Sequence, residues 1–352
     1  MNNLPSHESS EVPENDLPAD TTALQPDMEE DAPAQALTPL AHEDAPAPRR
    51  GIAPVWHTVV LVMFILGFSV LGALRSTPVI VDPIVPAEHG AYSSDAVHVK
   101  APVNFNRLLH YSVSGCFEII LAGWAVFGLR LRRTSIRSLF GAWPRGLNDV
   151  TKEIGIAALF WICSMVVLGS FALTWNVVQT KIYEHQVKQQ AKQVKEESQP
   201  RDREAAGKNA SSEGKKPESP QKQQVEMARK LMEYAPANGL EIAAWGLLCL
   251  IVGFSEELVF RGYLQQQGIS LLRSVVLGVL FSALIFGGAH GYQGVRGVCL
   301  ITLYGGLFSV ITLLRRNLFP GMLAHGWHDF ATGLALALVR STHMLDRIPL
   351  SQ

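Results

Sequence analysis

Three short stretches of this chain carry side chains that apolar helices normally exclude. Glu256 and Glu257 are adjacent carboxylates after an apolar run, 243–254. Arg261 follows four residues after Glu257, the i,i+4 spacing of a helical ion pair with its acid on the N-terminal side. Phe286 and His290 have the same spacing, as do His325 and Asp329, with His328 between the latter two. Residues four apart share a helix face. Adjacent residues point about 100° apart on an α-helix. One of the two glutamates is therefore expected to face a reaction centre while the other turns toward a neighbour or toward Arg261. An ionisable cluster on apolar helices is a functional site by default.

The chemistry such a set suits is attack of water on a carbonyl. A glutamate beside a water acts as general base. Imidazoles and carboxylates are ligands for zinc, and a bound metal lowers the pKa of its water and polarises the scissile carbonyl. Without a metal, Glu256 and His290 activate the water while His325 and Asp329 steady the oxyanion or orient the water. Both routes stay open at this point. The His-Glu-x-x-His pattern of soluble zinc proteases is absent. Glu257 and Arg261 are read as fixing the geometry and Phe286 as packing. His328 lies about 60° from His325 around the helix and is read as a supporting residue.

Taken in order, the stretches resemble the CAAX-protease and bacteriocin-processing family, also called the Abi family, of intramembrane metalloproteases. Its successive core helices carry Glu-Glu-x-x-x-Arg, Phe-x-x-x-His and His-x-x-x-Asn or Asp. Here they read Glu256-Glu257-Leu-Val-Phe-Arg261, Phe286-Gly-Gly-Ala-His290 and His325-Gly-Trp-His-Asp329. The resemblance covers residues 239–340. It implies endopeptidase activity within or beside the membrane, with Glu256, His290 and His325 as catalytic residues. In eukaryotic members that means removal of the last three residues of prenylated proteins; bacterial members often have an unknown substrate or an immunity role. Asp329 stands where Asn is commoner, and His328 is an extra imidazole. Both departures favour a metal, so Zn2+ is the expected cofactor, with His290, His325, Asp329 and Glu256 as its ligands. Two other readings are a non-catalytic membrane scaffold or immunity protein of the same fold, and a transporter. A transporter would show repeats with matched broken helices, and no convincing repeat is present.

The elements that must position these residues follow from composition. The chain has 352 residues, 48% of them apolar and 17% charged. The charges crowd into residues 1–50 and 178–235, and the apolar residues into runs long enough to span a bilayer. The expected fold is an all-α polytopic membrane protein of about seven transmembrane helices with the catalytic core in the last four. The spans are placed at 55–74, 108–129, 154–175, 239–267, 274–290, 298–314 and 320–339. Residues 1–50, with eleven acids and many prolines, read as a disordered tail. Residues 55–176 form the N-terminal transmembrane part. Residues 178–235, rich in Lys, Gln and Glu, form a charged loop insertion whose 181–197 stretch is compatible with helix. Residues 239–340 form the protease-like core, and 341–352 a short tail. Glu118, mid-span in the second helix, is expected to face the bundle interior, as a structural partner in preference to a supporting role at the site.

Arg130, Arg132, Arg133, Arg137 and Arg145 form the strongest basic loop and place that loop and the N-terminus in the cytoplasm. The first helix follows a long acidic segment and reads as retained rather than cleaved. The reading is an integral protein of a bacterial cytoplasmic membrane, with membrane lipids and a membrane-associated protein or peptide substrate as partners and no nucleic acid. Cys116, Cys163, Cys249 and Cys299 lie inside apolar runs without metal or redox spacing. One difficulty remains in the straight-helix picture. A turn near Ser270 leaves Glu256 and His290 at depths that differ by roughly 9 Å at 1.5 Å per residue.

Overall fold

The computed structural model describes residues 51–75, 104–197 and 219–347. The acidic tail, most of the first connection and the centre of the charged insertion lie outside the described residues, so the expectation of disorder for residues 1–50 does too.

The described residues are mainly helical, with an isolated antiparallel bridge between Gly141 and Asn317. Ten α-helices run in the order α1 (Val55–Arg75), α2 (Phe105–Leu131), α3 (Arg137–Phe140), α4 (Leu147–Glu197), α5 (Pro220–Met232), α6 (Gly239–Glu256), α7 (Gln265–Leu272), α8 (Val275–Ala289), α9 (Gly294–Arg315) and α10 (Phe319–Ser341). A π-helical segment, Glu257–Leu264, joins α6 to α7. Asn104, Ser219, Asn238 and Ser274 each accept a backbone N–H at the start of a helix, the capping role these side chains suit.

Among the described residues, five helical stretches are long and apolar enough to cross a membrane: Val55–Gly72, Phe105–Leu131, Leu147–Gln193, Gly239–Leu272 and Gly291–Arg315. Val275–Ala289 is apolar but shorter. Among the described residues, five or six of the seven expected spans are thus apolar helices of this kind. The difference is α10, which has the length but spends its first half on Gly, His and Asp in place of apolar side chains. Many large apolar side chains on the outer faces, among them Met63, Phe68, Leu159 and Leu250, are exposed, as a lipid-facing surface requires.

Two boundaries differ from expectation, and each has a local cause. The third span does not stop near residue 175: α4 continues without a break through Glu197, a rod of about 76 Å at 1.5 Å per residue. Its second half is Lys, Gln and Glu, all strong helix formers. Beside it, Gln224 of α5 donates to Asn176 Oδ1 at 3.0 Å. The other boundary is the α7–α8 turn. It falls at Arg273, in the left-handed conformation with φ 53°, followed by the cap Ser274, and not near Ser270. Glu256 lies seventeen residues before Arg273 and His290 sixteen after Ser274. That equalises the depths that a turn at Ser270 left unequal.

Without water to expel, helices in lipid are held by close packing and hydrogen bonds. Here α6 and α10 touch backbone to backbone. A Cβ at Gly253 would stand 2.8 Å from Met322 O and 2.9 Å from Gly326 N. Only glycines on both sides permit that approach, and it brings the helix carrying Glu256 against the helix carrying His325.

Candidate active site

The π-helical segment begins at Glu257 and is buried along its whole length. Such wide turns inside α-helices mark functional sites. Glu257 and Arg261 remain paired through it, Arg261 Nη1 to Glu257 Oε1 at 2.9 Å, with both side chains fully buried. Arg261 also donates from Nη2 to Gly305 O of α9 at 3.2 Å. Its guanidinium lies 4.3 Å from the centre of the Phe286 ring and 4.9 Å from that of Phe308. One buried cation thus ties the π segment, α8 and α9 together.

His325 stands between the two glutamates. Its Nδ1 is 2.9 Å from Glu257 Oε1 and its Nε2 is 3.3 Å from Glu256 Oε2. Asp329 Oδ2 is 3.7 Å from the same Nε2. Phe308 stacks on the imidazole at 5.1 Å and Phe286 meets it edge-on at 5.9 Å. Glu257, already paired with Arg261, accepts the Nδ1 proton. In neutral His325 the Nε2 lone pair then faces two carboxylates. His290 is fixed in the same way, since its Nδ1 lies 2.9 Å from Phe286 O and a carbonyl can only accept. When neutral, both imidazoles present a bare Nε2, with the outer N–H held by a carboxylate or a carbonyl, the outer-shell arrangement of metal-ligating histidines.

His290 sits just past α8, in a turn clamped by α1. Ser69 Oγ donates to Gly288 O at 2.7 Å and accepts from Gly291 N at 3.0 Å. Ser282 Oγ donates to Phe260 O at 2.6 Å, fixing α8 against the π segment. His290 and His328 both lie close enough to Asp329 for their charges to act on it. His328 turns away from the glutamates and packs edge-on against Tyr304 of α9, ring centres 4.9 Å apart.

Glu256, Glu257, Arg261, His325 and Asp329 are thus in direct contact as a set, and Phe286 braces Arg261. His290 is held at the rim of the set, and His328 belongs to the α9–α10 contact. Glu118 Oε2 is buried and has no hydrogen-bond partner among the described residues. The charges of Glu256, His325 and Asp329 act on its carboxyl. Sequence reasoning passed over Ser69, Gly305 and Tyr304. A lone serine, glycine or tyrosine in an apolar run is common, and only Ser69, inside an otherwise apolar stretch of α1, left any trace.

Residues 238–331 match the Rce1-like family. The matching description is Type II CAAX prenyl endopeptidase Rce1-like. No curated protein and no solved structure matches the chain. The matched Rce1-like stretch contains Glu256, Glu257, Arg261, Phe286, His290, His325, His328 and Asp329, and excludes α1, α2 and α4. Ser69 and Glu118 are therefore contributed to the surroundings of the Rce1-like centre from outside it. In donor type the centre suits a divalent cation, with two bare imidazole nitrogens and two carboxylates. Among the described residues no three His, Cys, Asp or Glu side chains converge as a ready-made metal cage.

Proposed function

We propose that this protein is an intramembrane endopeptidase that hydrolyses a peptide bond of a membrane-associated substrate, lipidated proteins included. The observation that carries the reading is the His325 imidazole bracketed by Glu256 and Glu257, inside a stretch that matches a prenyl endopeptidase family. Glu256 is the general base. It is the one glutamate of the pair not engaged by Arg261, and its carboxylate is free to take a proton from water. Water oxygen attacks the scissile carbonyl carbon, the carbonyl π electrons move to oxygen, and the proton held on Glu256 passes to the leaving amine. His290 and His325 line the attacked carbon, and Asp329 holds the orientation of His325. Glu257 and Arg261 keep the π segment, and with it Glu256, in place.

A zinc ion held by His290, His325, Asp329 and Glu256 would lower the pKa of its water and polarise the carbonyl. Acceptors as close as Glu256 Oε2, His325 Nε2 and Asp329 Oδ2, the imidazole buried, need a proton or a cation between them, which supports that assignment. We place the protein in a bacterial cytoplasmic membrane with its N-terminus cytoplasmic, on the strength of the Arg130–Arg137 loop.

The test is cleavage of a membrane-peptide library, prenylated peptides included, by purified protein in detergent, with zinc per chain measured on the same samples. Glu256→Gln is expected to lower cleavage by about 10²–10⁴-fold, the usual contribution of a general base, at unchanged melting temperature. Cleavage undiminished in Glu256→Gln would sink the mechanism. Zinc near one per chain that disappears in His290→Ala and His325→Ala would establish the metal; full activity without stoichiometric zinc would assign water activation to the glutamate and histidines alone.

A further inference from the structure

α2 and α6 run side by side in the same direction, and their contacts climb in register. Arg107 pairs with Glu241. One turn on, the Tyr111 ring lies 5.4 Å from Trp245. One turn further, a Cβ at Gly115 would stand 3.7 Å from Leu248 and 3.6 Å from Ile251. The next residue of α2 on this face is Glu118, and the same register carries it to the level of Val252, about one turn before Glu256. The electrostatics agree, since the charges acting on the Glu118 carboxyl are those of Glu256, His325 and Asp329. Its Oε2 is closed off from solvent and has no hydrogen-bond partner among the described residues.

A buried carboxyl oxygen without a donor is costly, on the order of 1–3 kcal/mol or more for a charged group. No neighbour among the described residues donates to it. Glu256 and Asp329 are acceptors, and the His325 Nδ1 proton is taken by Glu257. Arg261 spends Nη1 on Glu257 and Nη2 on Gly305, and its Nε reaches no acceptor among the described residues. A molecule with two donors can serve Glu118 and Glu256 at once, and the molecule the reaction consumes, water, is one.

We propose that Glu118 is a further catalytic residue of this centre, holding the attacking water together with Glu256. One water hydrogen is donated to Glu256, which takes it as the oxygen bonds to the carbonyl carbon. The other is donated to Glu118 and stays on the new carboxyl group. Two fixed hydrogens leave the oxygen lone pair one direction to point, which is the orientation effect that speeds such attacks. This role rests on the endopeptidase reading above. It adds a residue from α2, outside the Rce1-like stretch.

The test uses the full chain in nanodiscs, with Glu118→Gln and Glu118→Leu. With a cleaved library peptide, Glu118→Leu is expected to lower kcat by about 10- to 10²-fold at unchanged KM. Glu118→Gln should recover part of that loss, because the amide oxygen still accepts. A purely structural glutamate would instead lower the melting temperature and leave kcat per folded molecule intact. The second arm needs no substrate. The infrared carboxyl band of Glu118, assigned by its loss in Glu118→Gln, should shift in Glu256→Gln, because the two groups share a water. Glu118→Leu cleaving within twofold of the native chain, or a Glu118 band unmoved by Glu256→Gln, overturns the proposal. A native chain that cleaves nothing while the band still shifts counts against the endopeptidase reading and leaves the shared water standing.

Discussion

The two ends of α6 each bury a glutamate against an arginine, and they differ in what is left over. At the Gly239 end, Glu241 accepts from Asn104 N and Ala237 N, both at 2.8 Å, and from the Arg107 guanidinium. Close by, Arg340 of α10 donates to Met232 O, Ala235 O and Pro236 O at 2.8–2.9 Å. Tyr111 Oη donates to Tyr234 O at 2.5 Å. This set closes on itself and holds α2, α6 and α10 to the chain before α6. At the other end, Glu257 Oε2, Arg261 Nε, Glu118 Oε2 and Tyr304 Oη are all buried without a hydrogen-bond partner among the described residues. Buried polar groups in native proteins are nearly always satisfied, and exceptions gathered around clustered carboxylates and imidazoles mark places where a third molecule belongs. The same residue types thus serve as a clamp at one end of a helix and as a reaction centre at the other. What separates them is whether the buried donors and acceptors are satisfied.

Substitutions at the two arginines sharpen that contrast. Arg261→Ala leaves Glu257 buried with no cation, and breaking a buried pair of this kind costs roughly 3–5 kcal/mol. It also removes the tie to Gly305 and the ring contacts to Phe286 and Phe308, so stability and cleavage should fall together. Arg107→Ala is expected to cost less, about 1–3 kcal/mol, because Glu241 keeps two backbone N–H donors. Cleavage per folded molecule should stay at the native level. Equilibrium unfolding in detergent and activity normalised to folded protein check both. If Arg107→Ala were the costlier change, or if it lowered normalised cleavage, the division into clamp and centre would be wrong.

Much of the centre is legible in the sequence because its chemistry repeats at helical spacing. Glu257 and Arg261, Phe286 and His290, and His325 and Asp329 are each four apart, and each pair does share a face in the fold. What spacing alone cannot carry is the third dimension between helices. The turn at Arg273 depends on a left-handed arginine, a conformation that sequence pattern does not favour for that residue type. The π segment depends on hydrogen bonds one residue longer than usual, which leave no mark in hydropathy. The α6–α10 contact depends on Gly253 and Gly326, which look like two of many glycines until a Cβ is placed on them. For the same reason Glu118 reads as an odd acid in α2 until the α2–α6 register is known.

Gly253→Ala tests the helix contact without touching a polar group. Its new Cβ would overlap Met322 O and Gly326 N, and relieving that overlap moves α10 away from α6. Overpacking of this kind costs typically about 1–3 kcal/mol. The displacement acts on His325, one residue before Gly326, so cleavage should fall by more than the stability loss explains, about 10²-fold for a shift near 1 Å. A similar loss of stability with native cleavage would mean that the centre does not depend on this approach.

The smallest expected effect is at Ser69, and it asks whether the centre is positioned from outside the Rce1-like stretch. Ser69→Ala removes both hydrogen bonds that hold Gly288 O and Gly291 N. The net cost should be about 1 kcal/mol, because one of the two groups can find another partner when the turn relaxes. Relaxation is itself the point, since His290 lies between those two groups and takes its aim from them. Cleavage should drop several-fold at nearly native stability. Ser69→Thr keeps the hydroxyl and should restore the native rate wherever its extra methyl is accommodated. An alanine variant as active as the native chain would place the control of His290 within α8 itself, through its bond to Phe286 O.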